Sequence, residues 1–123
     1  MKFTNNKIYQ IASDITNNLK EINAYIPAKA NFFLQKNINT IINAAQEIEN
    51  SRLEIVKHYG ILNEETQQYT ILDEKMSDAI AELEELFNIE QELEIKTFSI
   101  EALGTAEFTS AQMQAIMFMI SEE

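Results

Sequence analysis

The sequence predicts a mainly α fold: a long helical hairpin with additional packed helices and a minor short β-hairpin or two-stranded element. Three observations predict it. Only 2 glycines and 1 proline occur in 123 residues, too few for sandwiches or barrels, whose tight turns need them. Leu34, Ile38, Ile41, Ala45, Ile48, Arg52, Ile55 and Tyr59 step by alternating fours and threes, a heptad seam held over more than three repeats. Apolar residues make up 46% of the chain, enough for one core. Residues 1–123 therefore read as a single helical domain. The richness in isoleucine and phenylalanine argues against disorder, despite a net charge of −11.

The elements follow in order. Ile8, Ile11, Ile15, Leu19 and Ile22 recur at helical spacing and predict a first helix from about Asn5 to Ile22, capped by Thr4 or Asn5. Pro27 suits the first turn of a second helix, running to about His58, because proline lacks the amide that a first turn leaves unbonded. At ~1.5 Å per residue that helix would span about 48 Å and act as a spine. Gly60 is the expected left-handed stop. Residues 61–72 read as a short hairpin or extended loop, since Tyr69 and Ile71 alternate with polar residues. Asp73 is placed to cap a third helix, which carries Met76, Ile80, Leu83 and Phe87 and should run back along the second. Leu93 and Ile95 alternate with charge and predict a short strand, which would pair with 69–71. In the last helix, Thr109 and Gln112 form a capping box, with Phe108 and Met113 as a hydrophobic staple. Its apolar face would be Met113, Ile116, Met117 and Ile120.

Charge is unevenly distributed. Residues 1–62 hold five acids against seven bases, a net of +2, and residues 63–123 hold fifteen acids against Lys75 and Lys96, a net of −13. Nucleic-acid binding rests on Lys and Arg displacing counterions, so direct contact with nucleic acid is not expected. A basic partner is favoured instead. The longest apolar run, Ala115 to Ile120, is far below the roughly 20 residues of a membrane span. The N-terminal segment has no signal-peptide pattern. The expected location is where the chain is made, or a particle assembled there. With no cysteine, disulfides, thiolate zinc and cysteine nucleophiles are excluded.

Candidate chemistry is sparse. His58, the single histidine, follows Glu54 by one turn, and an ion pair or helix C-terminal placement accounts for it as well as acid–base work does. Glu74, Asp78, Glu82 and Glu85 share one face of the third helix. They lack the loop of a calcium site, so they read as a solvated acidic stripe or a partner surface. Arg52, the single arginine, falls on the heptad seam and should pair its head with a nearby Glu, or grip a partner's carboxylate. Met113, Met117 and Met119, with Met76, read first as core filling. Phe118 and Met119 lie off the main stripe of the last helix and mark an apolar docking site for a second copy or another protein. No glycine-rich phosphate loop and no catalytic triad spacing is present. No metal, cofactor or enzymatic activity is expected.

Some features recur together in a known family. They are Ile8-Tyr9 in the first helix, Ile26-Pro27-Ala28-Lys29-Ala30 opening the second, Arg52, the Tyr59-Gly60 stop and Tyr69 in the break. Glu92-Leu93-Glu94-Ile95, Ile100 before Leu103, Phe108-Thr109 and the Met117-to-Ile120 tail complete the set. In this order they resemble a family of small proteins, a domain of unknown function, encoded by tailed bacteriophages and prophages. The resemblance implies a phage origin, a helical fold and a binding or assembly role, and carries no catalytic residues. On that basis the expected function is a non-enzymatic interaction module in virion assembly, or an accessory component of the particle, located in the host cytoplasm or the virion. The alternative is an anti-defence inhibitor whose acidic surface blocks a basic or nucleic-acid-binding host site.

Overall fold

Local chemistry sets the element boundaries. The computed structural model describes residues 1–19 and 25–121. Thr4 caps the first helix by accepting from the Lys7 amide at 3.1 Å. The order is β1 (Lys2–Thr4), α1 (Asn5–Asn18), α2 (Ala28–Tyr59), β2 (Gly60–Asn63), β3 (Gln68–Ile71), α3 (Asp73–Asn88), β4 (Glu90–Glu92) and β5 (Phe98–Ser99). A 3₁₀ turn (Ile100–Leu103), α4 (Ser110–Ile116), a second 3₁₀ turn (Met117–Met119) and β6 (Ile120–Ser121) follow. The fold is mainly α, and 66% of the described residues are helical with the 3₁₀ turns included. The expected extension of the first helix to Ile22 lies in part outside the described residues.

α2 is the spine. Its buried positions, Ala30, Leu34, Asn37, Ile41, Ala44 and Ile48, alternate in fours and threes. They correct the expected seam: Asn37 and Ala44 are buried where Ile38 and Ala45 were expected and are only half-buried. The buried line also ends at Ile48 instead of running on through Arg52 and Ile55 to Tyr59. Two cores hang on it. One gathers Phe3, Ile8, Ile11, Ala12 and Ile15 against Ile41, Ala44 and Ile48. The other gathers Ile26, Phe98, Leu103, Ile116 and Met119 against Ala30 and Leu34. Leu19, Ile38, Ile95 and Phe118 pack against both and join them.

Two buried asparagines hold connecting segments to the helices. Asn37, fully buried, accepts from the Lys96 amide at 2.9 Å and donates to the Lys96 carbonyl at 2.8 Å. It thus pins an otherwise irregular stretch of backbone to the spine, satisfying groups that could not be left unpaired inside. Asn5 donates from its side chain to the Leu86 carbonyl at 2.8 Å and accepts from Gln91 at 2.7 Å. That links the start of α1 to the end of α3.

Several expectations are corrected. The strand at 69–71 pairs antiparallel with β2, Leu62 opposite Tyr69, and residues 93–95 are irregular backbone rather than the expected strand. β4 instead pairs antiparallel with β1, Phe3 opposite Gln91, and β5 pairs in parallel with β6. A four-residue loop whose Asn63 side chain accepts from the Glu65 amide makes the local hairpin reachable without a long closure. Gly60 is extended, at φ −101° and ψ 165°, rather than left-handed. It is required for space: a Cβ there would lie 2.6 Å from the Val56 carbonyl oxygen and 3.2 Å from Tyr69 Cβ. Asp73 is the first residue of α3, not its cap; Leu72 takes the cap position without a side-chain bond. The carboxylate still lies at the favourable positive end of the helix.

The capping box of α4 is complete: Thr109 accepts from the Gln112 amide at 3.1 Å and its own amide donates to Gln112 Oε1 at 2.9 Å. α4 does not continue to Ile120. It tightens into a 3₁₀ turn at Met117, which shifts the phase to three residues per turn. Ile116 and Met119 therefore both point inward, and Met117 is left 55% exposed.

Candidate protein-docking surface

Beyond Ile48, α2 leaves both cores. Arg52, Ile55, Val56 and Tyr59 are only half-buried. The end of α2, the β2–β3 hairpin and the first half of α3 together form an arm. The direction of α3 follows from its neighbours. Asp78 and Glu82 lie by Tyr59, while Phe87 stacks edge-on against Tyr9 at 5.4 Å, and Tyr9 in turn donates to Glu49. So α3 runs back along α2.

The arm is poor in core and rich in exposed apolar side chains. Ala79 is the one fully buried residue of α3. Ile61 is 58% and Ile80 46% exposed, and Leu53, Leu62, Leu72 and Met76 are also exposed. The short elements around the hairpin explain this. Two strands and two helix ends have too little mutual surface to cover one another.

Glu74, Asp78, Glu82 and Glu85 are all exposed and fall within an arc of about 80° on α3, at roughly 100° per residue. None takes part in a salt bridge among the described residues. α3 as a whole has six acids and one base, and no base in its last turn offsets the negative end of the helix dipole. Glu82 sits against Tyr59 and raises its phenol above the usual tyrosine value.

Arg52 is occupied. Its Nε donates to Glu49 Oε2 at 3.0 Å and its Nη2 to Glu49 Oε1 at 2.6 Å, a bidentate pair. Tyr9 adds a third hydrogen bond to the same carboxylate. Arg52 and then Tyr9 hold Glu49 down to about 2. Glu49 in turn raises Tyr9 and Arg52 above their ordinary values. Arg52 is therefore not a free fork for a partner's carboxylate. Tyr9 and Glu49 also line an open groove of about 370 Å³ between α1 and α2, with Ala12, Ser13, Ile42 and Gln46 among its other residues.

The expected docking site at Phe118 and Met119 is corrected. Met119 is fully buried, and Phe118 is half-buried with its ring edge-on to Phe3 at 6.2 Å. The 3₁₀ turn stacks Met119 over buried Ile116, three residues back. His58 is exposed, lies edge-on to Tyr59 at 4.7 Å and makes no salt bridge with Glu54. Among the described residues, no group of three His, Cys, Asp or Glu side chains is placed to hold a metal ion. Nor is any helix there long and apolar enough to cross a membrane.

Glu49 escaped the sequence reading, although its spacing of three from Arg52 is a readable helical ion pair. Tyr9 left no such signal, because its approach to Glu49 depends on how α1 crosses α2. No family model matches the chain, and no curated protein or solved structure is similar to it.

Proposed function

We propose that this chain is a non-enzymatic protein-interaction module that docks a basic partner on α3. One observation carries the reading: beyond the first turn, where Asp73 and Glu74 offset the helix end, α3 presents four more acids, Asp78, Glu82, Glu84 and Glu85, all exposed and without a salt bridge among the described residues. Charges that served the fold would be paired or would offset a helix end. Exposed Met76 and Ile80 on the same helix add apolar area that association can remove from water. The resemblance to a phage family is what supports reading such a module as one for virion assembly, or as an accessory component of the particle. Presence in purified particles tests that placement, and absence from them counts against it.

The docking reading is tested with a synthetic Lys/Leu amphipathic helical peptide. It should bind at low salt and weaken as added salt shortens the Debye length from about 10 Å at 0.1 M to about 3 Å at 1 M. Replacing Glu74, Asp78, Glu82 and Glu85 together by Gln keeps helix propensity nearly unchanged. The variant should fold and associate more slowly. Equal rates for both proteins at every salt concentration would remove α3 from the interface.

One feature favours the anti-defence alternative. Successive carboxylates on α3 rise by about 6 Å per four residues, so they form a line of negative charge that a basic groove built for nucleic acid could accept. Expression early in infection, with absence from particles, is the outcome that alternative requires.

A further inference from the structure

The opposite end of the spine carries the complement of α3. Lys29, Phe32 and Lys36 are all exposed, Phe32 to 63%. At helical spacing they fall within about 60° of one another. Lys36 Nζ lies 6.0 Å from the Phe32 ring centroid, so the two side chains present one cationic, aromatic unit. The first turn of α2 has no acid and no side-chain cap. Lysine charge therefore adds to the positive end of the helix dipole instead of offsetting it. Neither lysine is in a salt bridge among the described residues. Glu94, which feels Lys36, is itself held by Lys96 at 3.1 Å.

The spacing of this stripe recurs in α3. Lys29, Phe32 and Lys36 stand at i, i+3 and i+7, and so do Asp78, Ala81 and Glu85. Laid side by side with the helices parallel, Lys29 meets Asp78 and Lys36 meets Glu85. The Phe32 ring then falls on exposed Ala81, the small residue between the two acids. An antiparallel alignment would set Phe32 on Glu82 instead, an apolar ring against a charge. The match cannot be made within one chain. Lys29 lies about 45 Å along the spine from Tyr59, at ~1.5 Å per residue, and Tyr59 is the residue beside Asp78 and Glu82.

We propose that copies of this chain associate by docking the Lys29–Phe32–Lys36 stripe of α2 in one copy onto the Asp78–Ala81–Glu85 stripe of α3 in another, the two helices parallel. This rests on the reading of α3 as a docking surface and names its partner as a second copy. The two stripes differ, so every copy offers one of each, and association continues past a single contact unless the contacts close into a ring. The net charge of −11 opposes self-association at long range, but at 0.15 M salt it is screened beyond about 8 Å. Pairs in contact remain.

Sedimentation velocity of the intact chain at 0.15 M salt, across a concentration series, tests this with reciprocal charge swaps. Variant one is Lys29→Glu with Lys36→Glu, and variant two is Asp78→Lys with Glu85→Lys. Wild type should associate as concentration rises. Each variant alone should stay monomeric, because its two stripes then carry the same sign. An equimolar mixture should recover association, since each variant supplies what the other lost. Circular dichroism of each variant checks that it is folded; an unfolded one is replaced by the neutral pair Lys29→Gln with Lys36→Gln, which should weaken association at least tenfold. Phe32→Ser should weaken it with all charges intact. A wild type monomeric throughout, a mixture that stays monomeric while wild type associates, or association indifferent to these variants overturns the proposal. If wild type stays monomeric yet binds the Lys/Leu peptide, self-docking alone fails. If it does neither, the reading of α3 fails with it.

Discussion

Single side chains hold this fold where the backbone has no regular partner. Asn37 serves both polar groups of Lys96 from inside the core. Leaving a buried polar group unpaired costs about 1–3 kcal/mol. Asn37→Leu should therefore lose about 2 kcal/mol or more, read as a lower urea midpoint, even though leucine suits the seam. A midpoint equal to wild type would show that the Lys96 segment finds other partners. Glu49 makes a pH prediction. Its folded value is depressed to about 2 by Arg52 and Tyr9, against roughly 4.3 unfolded. A depressed carboxyl contributes stability that is fully present above the unfolded value and is lost as pH falls from about 5 through 2. In urea melts, wild type should exceed Glu49→Gln at pH 7, and the gap should close toward pH 2. A gap constant with pH would mean that the Arg52 pair contributes nothing to the fold. Arg52 was legible as a seam residue needing an acid. The buried Asn5 and Asn37 were not, because polar asparagine reads as surface until the chain that approaches it is known.

Among the elements, α4 shows how far local grammar reaches. Its start was readable, since a capping box uses residues three apart and nothing else. Thr109→Ala should cost about 0.5–2 kcal/mol, measured by chemical unfolding. No loss, with Gln112→Ala equally silent, would mean the cap does not support the helix. Its end was not readable, because the 3₁₀ turn at Met117 delivers Ile120 to β5, where it pairs with Phe98. That is a long-range event, and it reversed the expected exposure of Met119. The strands show the same division. The hairpin closes over a four-residue loop and was legible as a hairpin or loop. The pairing of β1 with β4 joins residues some ninety apart in sequence, and no local pattern encodes it.

For the molecule as a whole, stability should be uneven along the spine. From Ala30 to Ile48 α2 has two cores around it, and beyond Ile48 it has only the arm. Regions with few buried apolar contacts open at lower free energy. Amide exchange should be fastest in the β2–β3 hairpin and the first half of α3, and slowest around Ile8–Ile15 and Leu34–Ile48. Equal protection along α2 from end to end would show that the arm and core unfold as one unit. The arm is also where charge gathers, so a partner that covers α3 should slow exchange there first.

The sequence by itself determined the helices, the long spine with its three-four periodicity (though not that Asn37 and Ala44, rather than Ile38 and Ala45, are its buried positions), the start of α4 and the polarity of charge. These rest on spacings of three and four residues, which a helix reads within its own length. Tertiary structure alone decided which strands pair, why Gly60 is needed, where the asparagines bond, that Arg52 is occupied and that Met119 faces inward. Each depends on two segments far apart in the chain meeting in space, and side-chain periodicity has no term for that approach.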